Sequence, residues 1–228
     1  MQTALRAVAP CGLIVALLLA ACGSTPDAAT LLSQAKTTLD STPAVHFQLT
    51  SDAVGGGNGP LITGGSGDIK RPASFTGTLD VTFAGLSASV EAVSAGGKFY
   101  VRLPGSPSFQ LTNPAAYGFA DPGQLMDPNR GLSTLLLRCT SPAVQNDDRL
   151  NGELLHEVSC TLPGSVIAAL LVDAAPSKPV NATIGITTDS HQVRRVVLTG
   201  PFYTSQNSTF TLVLDNYGEN VTVTAPPL

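Results

Sequence analysis

The residue with the plainest chemistry is Cys22, which follows Leu19-Ala20-Ala21. Small residues at that spacing let a signal peptidase reach the bond before the cysteine, whose thiol then accepts a diacylglycerol. Arg6 is the only charge ahead of Asp27, and Leu13 to Leu19 form an apolar block. That block is shorter than the roughly 20 apolar residues a membrane-crossing helix needs. Residues 1–21 therefore read as a lipoprotein signal peptide, 22–26 as the lipidated cysteine with a short tether, and 27–228 as one domain. Such a chain is exported and held by its lipid on the outer leaflet of the plasma membrane, on the envelope side. Gly23 to Pro26 would span at most about 15 Å.

Of the four cysteines, Cys11 leaves with the signal and Cys22 is acylated, which leaves Cys139 and Cys160. In an oxidising compartment two remaining thiols read as a disulfide. A metal is the competing reading, with His156 close by in sequence, but two isolated thiols make a poor zinc set.

Other chemistry is sparse. Ser33-Gln-Ala-Lys36 spells a Ser-x-x-Lys motif on a helix face, without the partner motifs that would make it a nucleophile. His46, His156 and His191 are scattered. Asp147-Asp148 lies in a polar stretch and reads as a solvated loop rather than an acid/base pair, which would need opposed environments. Arg194-Arg195 falls in an alternating strand, where one arginine could reach an interior or a ligand head group, although an exposed edge is the favoured reading. No catalysis, cofactor or resident metal is expected.

The elements that must position these residues follow from patterning. The 228 residues are 43% hydrophobic and 12% charged, with no Trp and a net charge of -4. No basic cluster exists to meet nucleic acid. Thr25-Pro26-Asp27 opens an amphipathic helix through Ala28, Leu31, Leu32, Ala35 and Leu39. Val45 to Thr50 alternates as a strand, Gly55 to Gly67 reads as a flexible loop, and Phe75 to Phe83 and Leu86 to Ala92 form a hairpin about Ala84-Gly85. Short strands follow over Lys98 to Leu103 and Ser108 to Leu111. Asp121-Pro122 and Asp127-Pro128 each open a helix, the second carrying Leu132, Leu135, Leu136 and Leu137. Val158 to Leu162 is a strand, and Ser165 to Val172 an almost wholly apolar helix that must be buried or border an apolar ligand. Strands close the chain over Val180 to Thr188, Gln192 to Thr199, Thr209 to Asn216 and Val221 to Thr224. The class is α+β with an antiparallel sheet and helices on one face.

Along nearly all its mature length the chain resembles the mycobacterial LppX/LprAFG lipoproteins. The resemblance rests on Ser41-Thr-Pro-Ala-Val-His46, Lys98-Phe-Tyr-Val101, Asp121-Pro-Gly-Gln-Leu-Met-Asp-Pro-Asn-Arg-Gly-Leu132 and Leu214-Asp-Asn-Tyr-Gly-Glu-Asn-Val-Thr-Val-Thr224, where Tyr217 stands in place of the usual Trp. It implies an antiparallel half-barrel similar to the LolA/LolB carriers, with helices packed on the concave face around a hydrophobic cavity. It further implies a monomer that carries acylated glycolipids, or another long-chain lipid, between the plasma membrane and the outer mycomembrane. Candidates for lining the cavity, or for ordinary core, are Phe75, Leu79, Val81, Phe83, Val90, Leu132, Leu135, Leu136, Val166, Ile167 and Leu170. The alternatives are a lipid-independent adaptor docking a membrane transporter or sensor, and a hydrolase. A cavity above about 1,000 Å3 would favour the carrier over the adaptor, and a fully packed interior would exclude the carrier.

Overall fold

The computed structural model describes residues 26–52, 60–172, 174–203 and 207–228. After helix α1 (Ala28–Ser41) come β1 (Ala44–Ser51), β2 (Leu61–Lys70), β3 (Ser74–Phe83), β4 (Leu86–Ala95), β5 (Lys98–Arg102) and β6 (Gln110–Thr112). Two 3-10 turns (Pro114–Tyr117 and Pro122–Met126) lead to α2 (Leu132–Leu136), β7 (Thr140–Val144), β8 (Asp148–Leu150), β9 (Glu153–Leu162) and α3 (Gly164–Ala168). The chain closes with β10 (Val180–Thr187), β11 (Val193–Gly200) and β12 (Ser208–Asp215). Among the described residues these strands form a single open antiparallel sheet ordered β6-β5-β4-β3-β2-β1-β12-β11-β10-β9-β7, with β8 paired to β9.

The helix begins two residues later than the sequence suggests. Asp27 is the N-cap, its carboxylate accepting from the Thr30 amide at 2.9 Å, while Ala28, Leu31, Leu32, Ala35 and Leu39 bury the inner face. A short polar side chain directly before the helix reaches the orphan amides, and this cap holds its carboxyl below the usual range.

The glycine-rich segment expected as a loop to Gly67 enters β2 at Leu61. Its glycines serve close packing: Gly67 stands opposite Gly77, and a Cβ on Gly67 would lie 2.3 Å from the Thr76 carbonyl oxygen. The same register row carries Phe47 on β1, whose ring meets that of Phe75 at 5.7 Å. Side-chain volume absent from the glycines is taken by these rings.

The helices near the chain middle are shorter than patterning implied. Asp127 N-caps no helix; its carboxylate accepts from the amides of Asn129 and Arg130, and Gly131 NH donates to the Asp127 carbonyl, closing a turn before α2 starts at Leu132. The apolar run expected to be helical to Val172 ends its α-helix at Ala168. Beyond it Leu171 bridges Phe119, and Val172 NH donates to the Gly118 carbonyl at 3.0 Å, so backbone pairing replaces the next helical turn.

The expected strand Val221 to Thr224 is not one. The chain turns at Asn216 and Gly218, both with positive φ, and then runs across strands rather than along an edge. Lys70 Nζ donates to the Val221 carbonyl, and Val223 packs on Val93, Ala95 and Tyr100, a small cluster separate from the main core. A segment crossing the strand direction has no ladder to join.

Candidate functional site

The inner face of the sheet and the short helices enclose a cavity of about 170 Å3. By the space a water needs, it holds on the order of ten water-sized groups. Every side chain lining it is apolar. β1 contributes Phe47 and Leu49, β2 Ile62 and Ile69, and β3 Phe75 and Leu79. From the other half come Leu162, Ile184, Val193, Val196, Leu198, Phe210, Leu212 and Leu214. Seven consecutive strands, β3-β2-β1-β12-β11-β10-β9, thus converge on one cavity. At about 4.8 Å per strand a flat sheet of that width could not do so, and the sheet curves around it.

The roof is built by the segment Asp121 to Leu136. Asp121 accepts from Gly123 NH and Ser94 Oγ, which docks the 3-10 turn on β4. Gly123 and Gly131 sit where a Cβ would lie 2.9 Å from Ser94 Cβ and 2.3 Å from the Leu125 carbonyl oxygen. Glycine is required by that closeness, and it brings Pro122, Leu125, Leu132, Leu135 and Leu136 over the cavity.

Of the residues proposed from sequence, Phe75, Leu79, Leu132, Leu135, Leu136, Ile167 and Leu170 line the cavity. Val81 and Val90 are buried outside its lining, at 7% and 1% exposure. Phe83 is a correction: it is 56% exposed, because β3 and β4 run beyond the helices that cover the rest of that face. Val166 points into a second, adjoining recess of about 610 Å3. Sequence reasoning missed the contribution of β1, β2 and β10 to β12, although the period-two alternation of Phe47 and Leu49 already assigned both to one face.

The second recess shares Ala120, Leu125, Leu135 and Leu170 with the cavity. It adds polar groups: Asp121, Gln124, Asn129, Arg130, Thr134, Arg138 and Ser165. Arg130 is tied to Gln124 Oε1 and Asp127 Oδ2, at 3.1 and 3.2 Å. An apolar chamber thus lies beside a polar vestibule.

Arg194 and Arg195 are not on an exposed edge, since β11 lies between β12 and β10. The register with β10 passes from Arg195 opposite Gly185 to Val193 opposite Ile186, skipping Arg194. This extra residue lets both Val193 and Val196 face the cavity and keeps the arginines out of its lining. Arg194 pairs with Glu153 at 2.7 Å, and Arg195 with Asp148 and Glu157. Asp148 is also not in a loop but opens β8, and Asp147 Oδ1 lies 2.8 Å from His156 Nδ1. His46 meets Asp68 similarly at 2.7 Å. Lys36 is turned to Asp40 and to the Pro128 carbonyl rather than to Ser33.

Cys139 and Cys160 are joined in a disulfide, with Cα atoms 5.4 Å apart. It fastens the segment entering edge strand β7 to β9. Among the described residues no group of three or more His, Cys, Asp or Glu is placed to hold a metal, and no helix is long and apolar enough to cross a membrane. Cys22, the signal region and the tether up to residue 25 lie outside the described residues, as do residues 53–59 of the glycine-rich segment.

Comparison with known proteins gives a consistent answer. The chain is similar to the lipoarabinomannan carrier protein LprG of Mycolicibacterium hassiacum, 29% identical over 246 residues that cover 99% of each chain. LprG of Mycobacterium tuberculosis is 26% identical over 208 residues, 90% of this chain and 85% of that protein. The crystal structure of LprF from Mycobacterium bovis superposes with a TM-score of 0.71 at 20% identity, covering 89% of this chain and 98% of that one. LppX of M. tuberculosis gives 0.63 at 20% identity, covering 86% and 97%. The two structures share this fold. The family model described as LppX_LprAFG lipoprotein matches residues 27–223, and the chain belongs to that family.

Proposed function

We propose that this protein is an exported lipoprotein, acylated on Cys22 after loss of residues 1–21, which takes up acylated glycolipids and carries them across the envelope toward the outer mycomembrane. The observation that supports this above all is the cavity itself, lined only by apolar side chains where sheet meets helices. Each methylene moved there from water contributes about 0.8 kcal/mol, so acyl chains are favoured without any reacting group. The role named for the LprG relatives, carriage of lipoarabinomannan, supports a glycolipid as the cargo. The polar vestibule is the place for the head group, with Arg130 and Arg138 at its wall.

At about 170 Å3 the cavity accepts part of one acyl chain, and two or three chains require the roof to rise from the sheet. The roof suits that motion, because its one α-helix, α2, has only five residues. The same small volume, well under the roughly 1,000 Å3 that favours a carrier, favours a second reading, a lipid-independent adaptor for a membrane transporter or sensor.

Mass spectrometry of organic extracts separates the two. The chain from Gly23 onward, purified from a mycobacterial host, should yield stoichiometric acylated lipid, and Leu212→Trp, which fills the cavity from β12, should yield little. Absence of lipid from the unsubstituted protein would overturn the carrier reading.

A further inference from the structure

Among the described residues, the β3–β4 hairpin continues past everything that covers the sheet. β2 pairs with β3 only as far as Thr82, and β5 pairs with β4 only over Glu91 to Ala95. The tip, with Leu86 to Val90 unpaired on one side, therefore projects. Phe83 and Leu86 stand opposite each other across the turn Ala84-Gly85, both turn residues in the left-handed region at φ 50 and 78. The two side chains are 56% and 77% exposed. From Val81 to Val90 there is no ionisable residue, the nearest being Asp80 and Glu91.

We propose that this tip is a membrane-contact element that inserts Phe83 and Leu86 into the interfacial layer of a lipid bilayer. Three observations carry the inference. The tip can be dehydrated without stranding a charge, whose burial would be costly. Two side chains are too few for a stable protein interface, which buries on the order of 1,000 Å2 or more, yet suffice for shallow insertion. The open backbone edge of Leu86 to Val90 finds hydrogen-bond partners among head groups and interfacial water but would find none deeper.

Phe83 also continues the alternation of Phe75, Leu79 and Val81, of which Phe75 and Leu79 line the cavity. Where the carrier reading holds, this row is an apolar path from bilayer to cavity; the insertion itself does not depend on it.

The chain has no tryptophan, so Phe83→Trp creates a single fluorescent reporter. The protein from Gly23 onward retains every described helix and strand and carries no acyl anchor. With phosphatidylcholine vesicles its emission should shift to the blue, be quenched by lipids brominated near the head group, and persist in high salt. Phe83→Ser with Leu86→Ser should weaken vesicle binding about tenfold or more while leaving the melting temperature unchanged. Unshifted Trp emission, vesicle binding equal in the double variant, binding abolished by salt, or self-association lost in the double variant without any vesicle effect would each overturn the proposal. Insertion by a protein that yields no cavity lipid would defeat the carrier reading alone.

Discussion

Arg195 donates through Nη2 to the Glu157 carboxylate at 2.6 Å and to Asp148 Oδ2 at the same distance, joining the central strand β11 to β9 and β8. The Glu157 side chain is 6% exposed, and its other oxygen has no partner. Gly185 lies between them in register, and a Cβ there would come within 2.8 Å of Glu157 Oε1. A buried carboxylate in this setting depends on its cation.

Arg195→Met should therefore destabilise the domain by about 3–5 kcal/mol, the usual cost of an uncompensated buried charge. Adding Glu157→Gln should restore a large part of that loss. Equal stability of the single and double variants in urea denaturation would show that the two groups do not interact.

The acid limb carries a related signature at Asp148. The hydrogen bond from Arg195 holds the Asp148 carboxyl below its ordinary value. Its contribution is thus present above the ordinary carboxylate range and is lost as pH falls through the depressed value. Wild type and Asp148→Asn should differ in melting temperature at pH 7 and converge in strong acid. A difference that grows on acidification would contradict the assignment.

Val90 and Leu212 separate packing from cargo. Val90→Trp, at a site 1% exposed and outside the cavity lining, should cost about 1–3 kcal/mol through overpacking. Leu212→Trp has the cavity to fill, so it should lower recovered lipid with a smaller loss of stability. Thermal melts paired with lipid extraction from both variants decide this, and a reversed pattern would relocate the cavity.

The Cys139–Cys160 bond closes a separation of 21 residues. On the chain-entropy model a crosslink of that size contributes about 3 kcal/mol. Replacing both cysteines by serine should lower the denaturation midpoint accordingly and speed hydrogen exchange first in β7. Unchanged stability after reduction would mean that β7 is held by its β9 ladder alone.

Composition and patterning determined the class of this protein. Period-two alternation in Phe47, Leu49, Phe75 and Leu79 assigns an inner sheet face. The Asp-Pro pairs at Asp121 and Asp127 read as two helix starts, of which only Asp121 N-caps a helical turn, and Cys139 with Cys160 supplies the disulfide pair. These features are local, so spacing alone reveals them. Tertiary structure decided where each face is covered. Phe83 has the same alternation as Phe75, yet the hairpin outruns the helices and leaves it in solvent. Gly65 and Gly67 resemble a loop until their neighbours on β3 are seen to exclude a side chain. The bulge at Arg194 sends Val193 and Val196 into the cavity together, against simple alternation. Each outcome depends on what lies across the sheet or above it, a long-range pairing that sequence periodicity does not encode.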